Sequence, residues 1–250
     1  MVSADGQGAT PRRIGIMGGS FDPIHLGHLV TADQARYDLD LDEVIFVPAG
    51  QPWQKEQETS AEHRYVMTLL ATAANPAFSV SRLEIDRPGR TYTVETLREL
   101  RAALPSDRLF FITGADAILN ILTWRDAEEC LRLADFVAAS RPGRDLGKLE
   151  AQGLRNRVTV LDVPALAISS TDIRRRFASR RSVRYLILQE VEEYARKHGL
   201  YGTPGRGLAA PGHPTLAGCE AAGAPVRSAA SGRPDAGAGS ADSRDEEQPT

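Results

Sequence analysis

The sequence predicts an α/β protein built on an open, doubly wound parallel sheet. Between about residue 12 and residue 202, short apolar segments alternate with helical patterns, which is the rhythm of consecutive β-α-β units. A glycine-rich turn follows the first apolar segment and leads directly into a helix, an arrangement typical of the phosphate-binding edge of such sheets. The composition, 42% hydrophobic and 25% charged residues, is that of an ordinary globular protein.

Six segments are predicted as buried parallel strands, because each is short, apolar and bounded by glycine, proline or polar turns. They are residues 14–17, 44–47, 78–82, 109–113, 135–139 and 158–161. Helical patterns cover residues 25–37, 61–75, 93–104 and 127–133. Ligands of such sheets bind beyond the carboxyl ends of the strands, and the glycine turn after the first strand lies at that edge.

Composition divides the chain into three parts. Residues 1–11 lack the apolar core of a signal peptide and are expected to be a flexible N-terminus. Residues 12–202 are expected to form the folded domain. Residues 203–250 consist mainly of Gly, Ala, Pro, Ser and Arg, and offer too few large apolar side chains to offset the entropy of ordering. We therefore expect a disordered tail.

The overall charge and the cysteines exclude several functions. A net charge of -3 argues against general nucleic-acid or membrane-surface binding, and no apolar stretch is long enough to span a bilayer. Cys130 and Cys219 give neither a disulfide framework nor a thiolate metal site. We expect a cytoplasmic protein with no nucleic-acid or membrane partner, and the sequence is compatible with a homo-oligomer.

Residues 18–28 form the first chemically informative motif, G-G-S-F-D-P-I-H-L-G-H. Gly18 and Gly19 permit close approach of the backbone to a phosphate, and the helix start that follows directs free N–H groups at the same anion. His25 and His28 are three residues apart, so their imidazoles lie on one face of the helix. Alternatively, the first histidine caps the helix and the second fills a core niche. A metal pair lacks further Cys or His ligands.

Residues 168–176 form the second motif, I-S-S-T-D-I-R-R-R, and predict another helix start that can bind phosphate. Ser169 or Ser170 can cap this helix with Asp172 in its first turn. Arg174 follows one turn later, where a guanidinium can bind a phosphate bidentately. The alternative is an ordinary capped helix with a solvated basic face. The two motifs are about 140 residues apart, and we expect the fold to bring them together around one triphosphate.

The first motif closely resembles the signature of the HxGH nucleotidyltransferase superfamily, and the second resembles its I-S-S-T-x-I-R motif. The resemblance implies a Rossmann-like nucleotidyltransferase fold and transfer of a nucleotidyl group to a phosphorylated acceptor, with release of pyrophosphate. It implies catalytic roles for His25, His28 and Arg174. The implied ATP ligands are Gly18, Gly19, Ser20, Phe21, His25, His28, Ser169, Thr171 and Arg174. Mg²⁺ is expected to arrive with ATP, with no dedicated metal ligands in the protein.

Four further stretches resemble the bacterial nicotinate-nucleotide adenylyltransferases of the actinobacterial type. They are P-A-G-Q-P-W-Q-K at 48–55, T-Y-T-V-E-T-L at 91–97, G-A-D-A with L-T-W-R-D within 114–126, and S-R-P-G at 140–143. The resemblance implies that ATP and nicotinate mononucleotide give deamido-NAD and pyrophosphate in NAD biosynthesis. The candidate acceptor ligands are Tyr92, Thr93, Asp116, Trp124, Arg125, Lys55 and Arg141.

These acceptor ligands each have a chemical rationale, and Trp124 and Asp116 also have an alternative. Trp124 offers an aromatic face for a pyridine ring, or is a core tryptophan. Tyr92 and Thr93, near a helix start, offer donors to a carboxylate. Asp116 binds ribose hydroxyls, or caps a helix. Arg125 stands where the family often has an aromatic residue, and its charge suits a carboxylate.

Three predictions concern loops of the acceptor half. Lys55 and Arg141 are phosphate contacts or plain surface charges, and Trp53 either gates the pocket or packs within its own loop.

Two rival functions remain: a phosphopantetheine adenylyltransferase, which needs no stacking tryptophan, and a nucleotide-sensing module without turnover.

Overall fold

The computed structural model describes residues 10–52, 58–140, 147, 151, 153–154, 156–164 and 166–202. The predictions made for residues 1–9 and 203–250 lie outside these described residues, as do those for Trp53, Lys55 and Arg141.

The described residues form a parallel sheet of six strands in the order β3-β2-β1-β4-β5-β6. The strands are β1 (Arg13–Gly19), β2 (Glu43–Pro48), β3 (Phe78–Val80), β4 (Arg108–Gly114), β5 (Asp135–Ser140) and β6 (Val158–Asp162). The predicted fold class and all six predicted strands are confirmed. Because β1 pairs with β2 on one side and with β4 on the other, the chain reverses its winding direction between β1 and β4. Ligands bind at such a switch point in open α/β sheets.

The helices of the described residues cover both faces of the sheet. They are α1 (Leu26–Asp38), α2 (Ala61–Thr72), α3 (Thr93–Ala103), α4 (Ala115–Ile118), α5 (Ala127–Leu133), α6 (Ser170–Ala178) and α7 (Gln189–Lys197). Helix α2 ends three residues earlier than the pattern 61–75 predicts. The Asn75 side chain accepts a hydrogen bond from the Ala77 N–H at 3.0 Å, which favours a turn over another helical turn.

The strands separate two hydrophobic clusters because successive side chains point to opposite faces. Ile16 is buried in the cluster that contains residues of α3 and α5. Its neighbour Met17 is buried in the cluster with residues of α1, α2, α6 and α7. The central strands are thus buried on both faces, as expected for a parallel sheet. Polar groups that bind a ligand are therefore expected beyond the strand ends.

Gly50, two residues after β2, leads to a stability prediction. A Cβ atom at this position would lie 2.1 Å from the carbonyl oxygen of Glu84, so Gly50→Ala must displace backbone. We expect the free energy of unfolding to fall by about 2 kcal/mol or more, measured by urea denaturation. Gly114→Ala is the matched control, because nothing lies within 4 Å of its added Cβ. Equal losses in the two variants would contradict the prediction.

Candidate active site

The described residues line three adjoining cavities beyond the carboxyl ends of β1 and β4. The large cavity, of about 400 Å³, contains His25, His28 and Asp116 in its wall. The tryptophan cavity, of about 200 Å³, is lined by Tyr92, Trp124 and neighbouring residues. The arginine cavity, of about 320 Å³, is lined by residues of both sequence motifs.

The three cavities share lining residues and so adjoin one another. Gly18 lines the large and tryptophan cavities. His25 and His28 line the large and arginine cavities, and Ser20 lines the tryptophan and arginine cavities. The arrangement therefore suits an extended nucleotide whose phosphates approach a second, smaller ligand.

The two histidines are stacked face to face at the start of α1. Their ring centroids are 3.6 Å apart with an angle of 18° between the planes, which confirms that both imidazoles lie on one side of the helix. A Cβ atom on Gly27 would lie 3.0 Å from His25 Nδ1, so glycine gives this ring its room. His25 also occupies the N-cap position, as the alternative interpretation expects. Capping and lining the cavities are compatible.

A backbone hydrogen bond defines which nitrogen of His28 is available. The His25 N–H donates to His28 Nδ1 at 3.2 Å, so the neutral His28 ring carries its proton on Nε2. The edge of the buried Phe21 ring packs against His28, with centroids 5.1 Å apart. The imidazole is thereby held in one orientation as a hydrogen-bond donor.

Burial keeps both histidines uncharged near neutral pH. It lowers the pKa of His25 to about 4. Burial also lowers the pKa of His28 well below its ordinary value of 6.5, and the nearby His25 lowers that pKa further. Charging a group away from water is costly, so at pH 7 the pair offers neutral N–H donors rather than two cations.

The second motif forms α6, and its start contacts the first motif. Ser169 is the N-cap and accepts a hydrogen bond from the Asp172 N–H at 3.2 Å, as predicted. The Ser170 hydroxyl donates to the Pro23 carbonyl at 2.9 Å. The cavity wall also contains Thr171. The expectation that the fold brings the two motifs together is confirmed.

Arg174 projects from α6 into the wall of the arginine cavity. Its Nη1 donates to the Asp22 carbonyl at 2.8 Å, and its Nε donates to Glu58 Oε1 at 2.7 Å. The guanidinium is thus fixed beside the glycine turn by one neutral and one charged partner. Sequence reasoning placed Arg174 at this site but did not anticipate Glu58.

The predicted acceptor ligands Tyr92, Thr93, Trp124 and Arg125 all line the tryptophan cavity. Tyr92 is the N-cap residue of α3. Trp124 is half-buried and packs edge-on against Phe111 and Phe136, with ring centroids 6.1 and 6.2 Å apart. The indole thus belongs partly to the core, as the alternative interpretation expects, and partly to the cavity wall.

Arg125 is held at the rim of this cavity by two neighbours. Its guanidinium lies 4.8 Å from the centroid of the Tyr92 ring, and Nη1 donates to Glu95 Oε1 at 3.1 Å.

Asp116 does not line the tryptophan cavity: it lies in the first turn of α4 and lines the large cavity. The structure therefore separates Asp116 from the other acceptor candidates and groups it with the histidines.

Comparisons with known proteins identify the family. A family model described as cytidylyltransferase-like matches residues 16–176. A probable nicotinate-nucleotide adenylyltransferase of Clavibacter sepedonicus is 58% identical over 198 residues, which cover 78% of this chain and 98% of the relative. The chain belongs to this family of nucleotidyltransferases. A probable nicotinate-nucleotide adenylyltransferase of Moorella thermoacetica is 55% identical over 201 residues, covering 76% and 92% of the two chains.

Solved structures show the same fold at lower identity. The nicotinic acid mononucleotide adenylyltransferase of Plasmodium falciparum, complexed with NaAD, has a TM-score of 0.66 at 22% identity, covering 76% of this chain and 97% of that one. The Rossmann-like nucleotidyltransferase fold that the resemblance implies is confirmed. No described helix is both long and apolar enough to cross a membrane.

Sequence reasoning did not assign a role to the buried carboxylate of Asp22. This side chain is 2% exposed, and it accepts hydrogen bonds from the Tyr201 hydroxyl at 2.6 Å and the Glu58 N–H at 2.9 Å. The hydroxyl of Thr59 is a third donor. Asp22 lies inside the first motif, so the motif itself pointed to this position. The hydrogen-bond partners of Asp22 are distant in sequence, however, and could not be inferred from the motif.

Glu84 is a second residue that the sequence did not single out. It is 8% exposed and lines the tryptophan cavity. The Thr96 hydroxyl donates to its Oε1 at 2.6 Å. Burial raises the pKa of this carboxyl, against the lowering effect of the Thr96 and Thr91 hydrogen bonds. Glu84 alternates with Leu83 and Ile85 and has Arg82 and Asp86 on either side, so nothing in the sequence distinguishes it from the other charged residues of this segment.

The chemistry of the described residues is compatible with a divalent ion that binds together with a nucleotide and is held by its phosphates. The described residues contain no group of three or more His, Cys, Asp or Glu side chains able to hold a metal, and both Asp22 oxygens already accept hydrogen bonds. Mg²⁺ keeps several waters and is commonly bound through substrate phosphates. Hydroxyls and N–H groups of the cavity walls would hold the phosphates, and Mg²⁺ bound to those phosphates would neutralise part of their charge.

The lowered pKa of His25 makes the folded protein sensitive to mild acid. The unfolded chain binds a proton at this histidine near pH 6.5, whereas the folded chain does so only near pH 4. Stability is therefore lost as pH falls through this window, by about 3 kcal/mol at most for this group. We expect His25→Asn, which keeps a capping side chain, to flatten the slope of unfolding free energy against pH between 6.5 and 4. An unchanged slope would contradict this assignment.

Proposed function

We propose that this chain transfers the adenylyl group of ATP to nicotinate mononucleotide, giving deamido-NAD and pyrophosphate in NAD biosynthesis. One observation carries the proposal: two helix starts with phosphate-binding character meet in the arginine cavity, between a large cavity and a tryptophan-lined one. The names of the relatives support the choice of acceptor. We place the reaction in the cytoplasm, where ATP is available.

ATP occupies the large and arginine cavities in this proposal. Asp116 accepts hydrogen bonds from ribose hydroxyls, while the triphosphate lies against the glycine turn and the start of α6. The ATP ligands proposed are Asp116, which was predicted as an acceptor ligand, and those predicted from the sequence: Gly18, Gly19, Ser20, Phe21, His25, His28, Ser169, Thr171 and Arg174. The positive ends of two helix dipoles, at the starts of α1 and α6, stabilise the anion without a large net positive charge.

The proposed chemistry is a direct displacement at the α-phosphorus of ATP. A phosphate oxygen of the acceptor forms the new P–O bond while the bond to the bridging β-phosphate oxygen breaks, and the electron pair leaves with pyrophosphate. His25, His28 and Arg174 are the proposed catalytic residues, donating hydrogen bonds to oxygens on which negative charge increases. Mg²⁺, when it arrives with ATP, neutralises part of the triphosphate charge. No covalent enzyme intermediate is required.

The acceptor lies in the tryptophan cavity. Trp124 provides a face for the pyridine ring, and Tyr92 and Thr93 at the start of α3 provide donors for its carboxylate. Arg125 adds positive charge at the rim of the cavity, and its ion pair with Glu95 partly neutralises that charge. Lys55 and Arg141 remain predicted phosphate contacts outside the described residues.

Pyrophosphate release tests the proposed reaction. The full chain is assayed with ATP and Mg²⁺ against nicotinate mononucleotide, nicotinamide mononucleotide and phosphopantetheine in parallel. We expect strong preference for the first acceptor, and a loss of two or more orders of magnitude in kcat for His28→Ala. Preference for phosphopantetheine would overturn the acceptor assignment. ATP binding without turnover on any acceptor would identify a nucleotide sensor instead.

Replacing Trp124 separates acceptor binding from ATP binding. We expect Trp124→Ala to raise the KM for nicotinate mononucleotide by about tenfold, since base–aromatic stacking contributes about 1–3 kcal/mol, while the KM for ATP changes little. Trp124→Phe is the matched control and keeps most of the affinity. If both KM values rose equally, Trp124 would be a core residue whose loss disturbs the whole site.

A further inference from the structure

Arg64 is a buried cation beneath the walls of two cavities. It lies on α2 and is 1% exposed, although arginine is almost never fully buried without partners. A buried charge is costly unless hydrogen bonds and countercharge compensate it. The groups that accept hydrogen bonds from the Arg64 guanidinium therefore indicate the role of this residue.

The guanidinium connects three loop carbonyls. Nη1 donates to the Ser20 carbonyl at 2.7 Å, and Nη2 donates to the Gly50 carbonyl at 3.0 Å. The Nε–H makes a longer bond, 3.4 Å, to the Thr59 carbonyl. Three segments that follow β1, follow β2 and precede α2 are thus joined by one planar group.

The nearby negative charge comes from two buried carboxylates. Asp22 and Glu84 both raise the pKa of Arg64, against the lowering effect of burial. Asp22 belongs to the glycine turn, and Glu84 lines the tryptophan cavity. The cation is therefore balanced by one group from each side of the proposed reaction centre.

The two shorter hydrogen bonds act where ATP and acceptor must meet. Ser20 lines both the arginine and the tryptophan cavities. Gly50 belongs to the loop that follows β2, and its neighbours Ala49 and Pro52 in that loop line the tryptophan cavity. In-line displacement requires the acceptor oxygen and the α-phosphorus to be held within a few tenths of an ångström of the productive geometry.

We propose that Arg64 is a positioning residue for adenylyl transfer: it holds the Ser20 and Gly50 carbonyls at one separation, and thereby sets the distance between acceptor phosphate and ATP. This inference rests on the proposed function. Arg64 itself touches neither substrate and acts through the two loops. A lysine can replace the charge but not the planar fork that reaches several carbonyls.

The test compares Arg64→Lys and Arg64→Gln with the wild-type chain in steady-state kinetics, below their unfolding temperatures. We expect kcat per ATP-binding site to fall about 100-fold in both variants, with the KM values for ATP and nicotinate mononucleotide within about threefold of wild type. A purely structural role would lower the unfolding temperature and the number of binding sites, but not kcat per site.

Arg82→Lys and Arg82→Gln are the matched controls. Arg82 is also tied to α2, through Glu62 at 2.7 Å, but its side chain is 38% exposed and lines none of the three cavities. Its variants are expected to keep kcat. The proposal for Arg64 is overturned if kcat per site is unchanged, if the loss resides in the KM values, or if neither variant folds. An inactive wild-type chain would instead refute the proposed function.

Discussion

The parallel pairing of β1 with β4 is the constraint on which the rest of this site depends. It places the ends of two central strands side by side, with Gly18 and Gly19 ending one and Gly114 ending the other. Both strands are buried on both faces, so the loops beyond their ends are where polar groups can be hydrated or bind a ligand. The three cavities meet at this edge for that reason.

The polar groups at this edge are compensated by short-range hydrogen bonds. Asp22 accepts from a hydroxyl of Tyr201 and a backbone N–H, and Arg64 donates to backbone carbonyls. His25 and His28 avoid the cost of burying a charge by remaining neutral. A low-dielectric wall of this kind strengthens each interaction with an anion. It also fixes the donors before the ligand arrives, so little reorganisation is needed.

The sequence predicted the strands, most helices and both phosphate motifs, because these depend on local patterns. The cap at Ser169 and the shared face of His25 and His28 follow from spacing along one helix. By contrast, nothing local distinguishes Arg64 from a surface arginine of an amphipathic helix. Its partners are carbonyls brought close by the crossover connections, and carbonyl positions leave no mark on the sequence. Family patterns located Trp124 and Arg125, but only the fold separated Asp116 from them.

Arg174 and Arg125 bring positive charge to the site without leaving it uncompensated. Each cation has a carboxylate partner, Glu58 for the first and Glu95 for the second. A phosphate that approaches Arg174 must compete with Glu58 for the guanidinium, or accept hydrogen bonds from the N–H groups that do not donate to Glu58.

Because the chain as a whole carries a net charge of -3, long-range attraction contributes little to capturing a polyanion. In the proposed function, binding comes instead from the helix starts, hydroxyls and fixed imidazoles that line the cavities. Such donors depend on direction as well as distance. In the proposed function, the site therefore selects a nucleotide by the geometry of its phosphates, and this selection depends on the loops that position the donors.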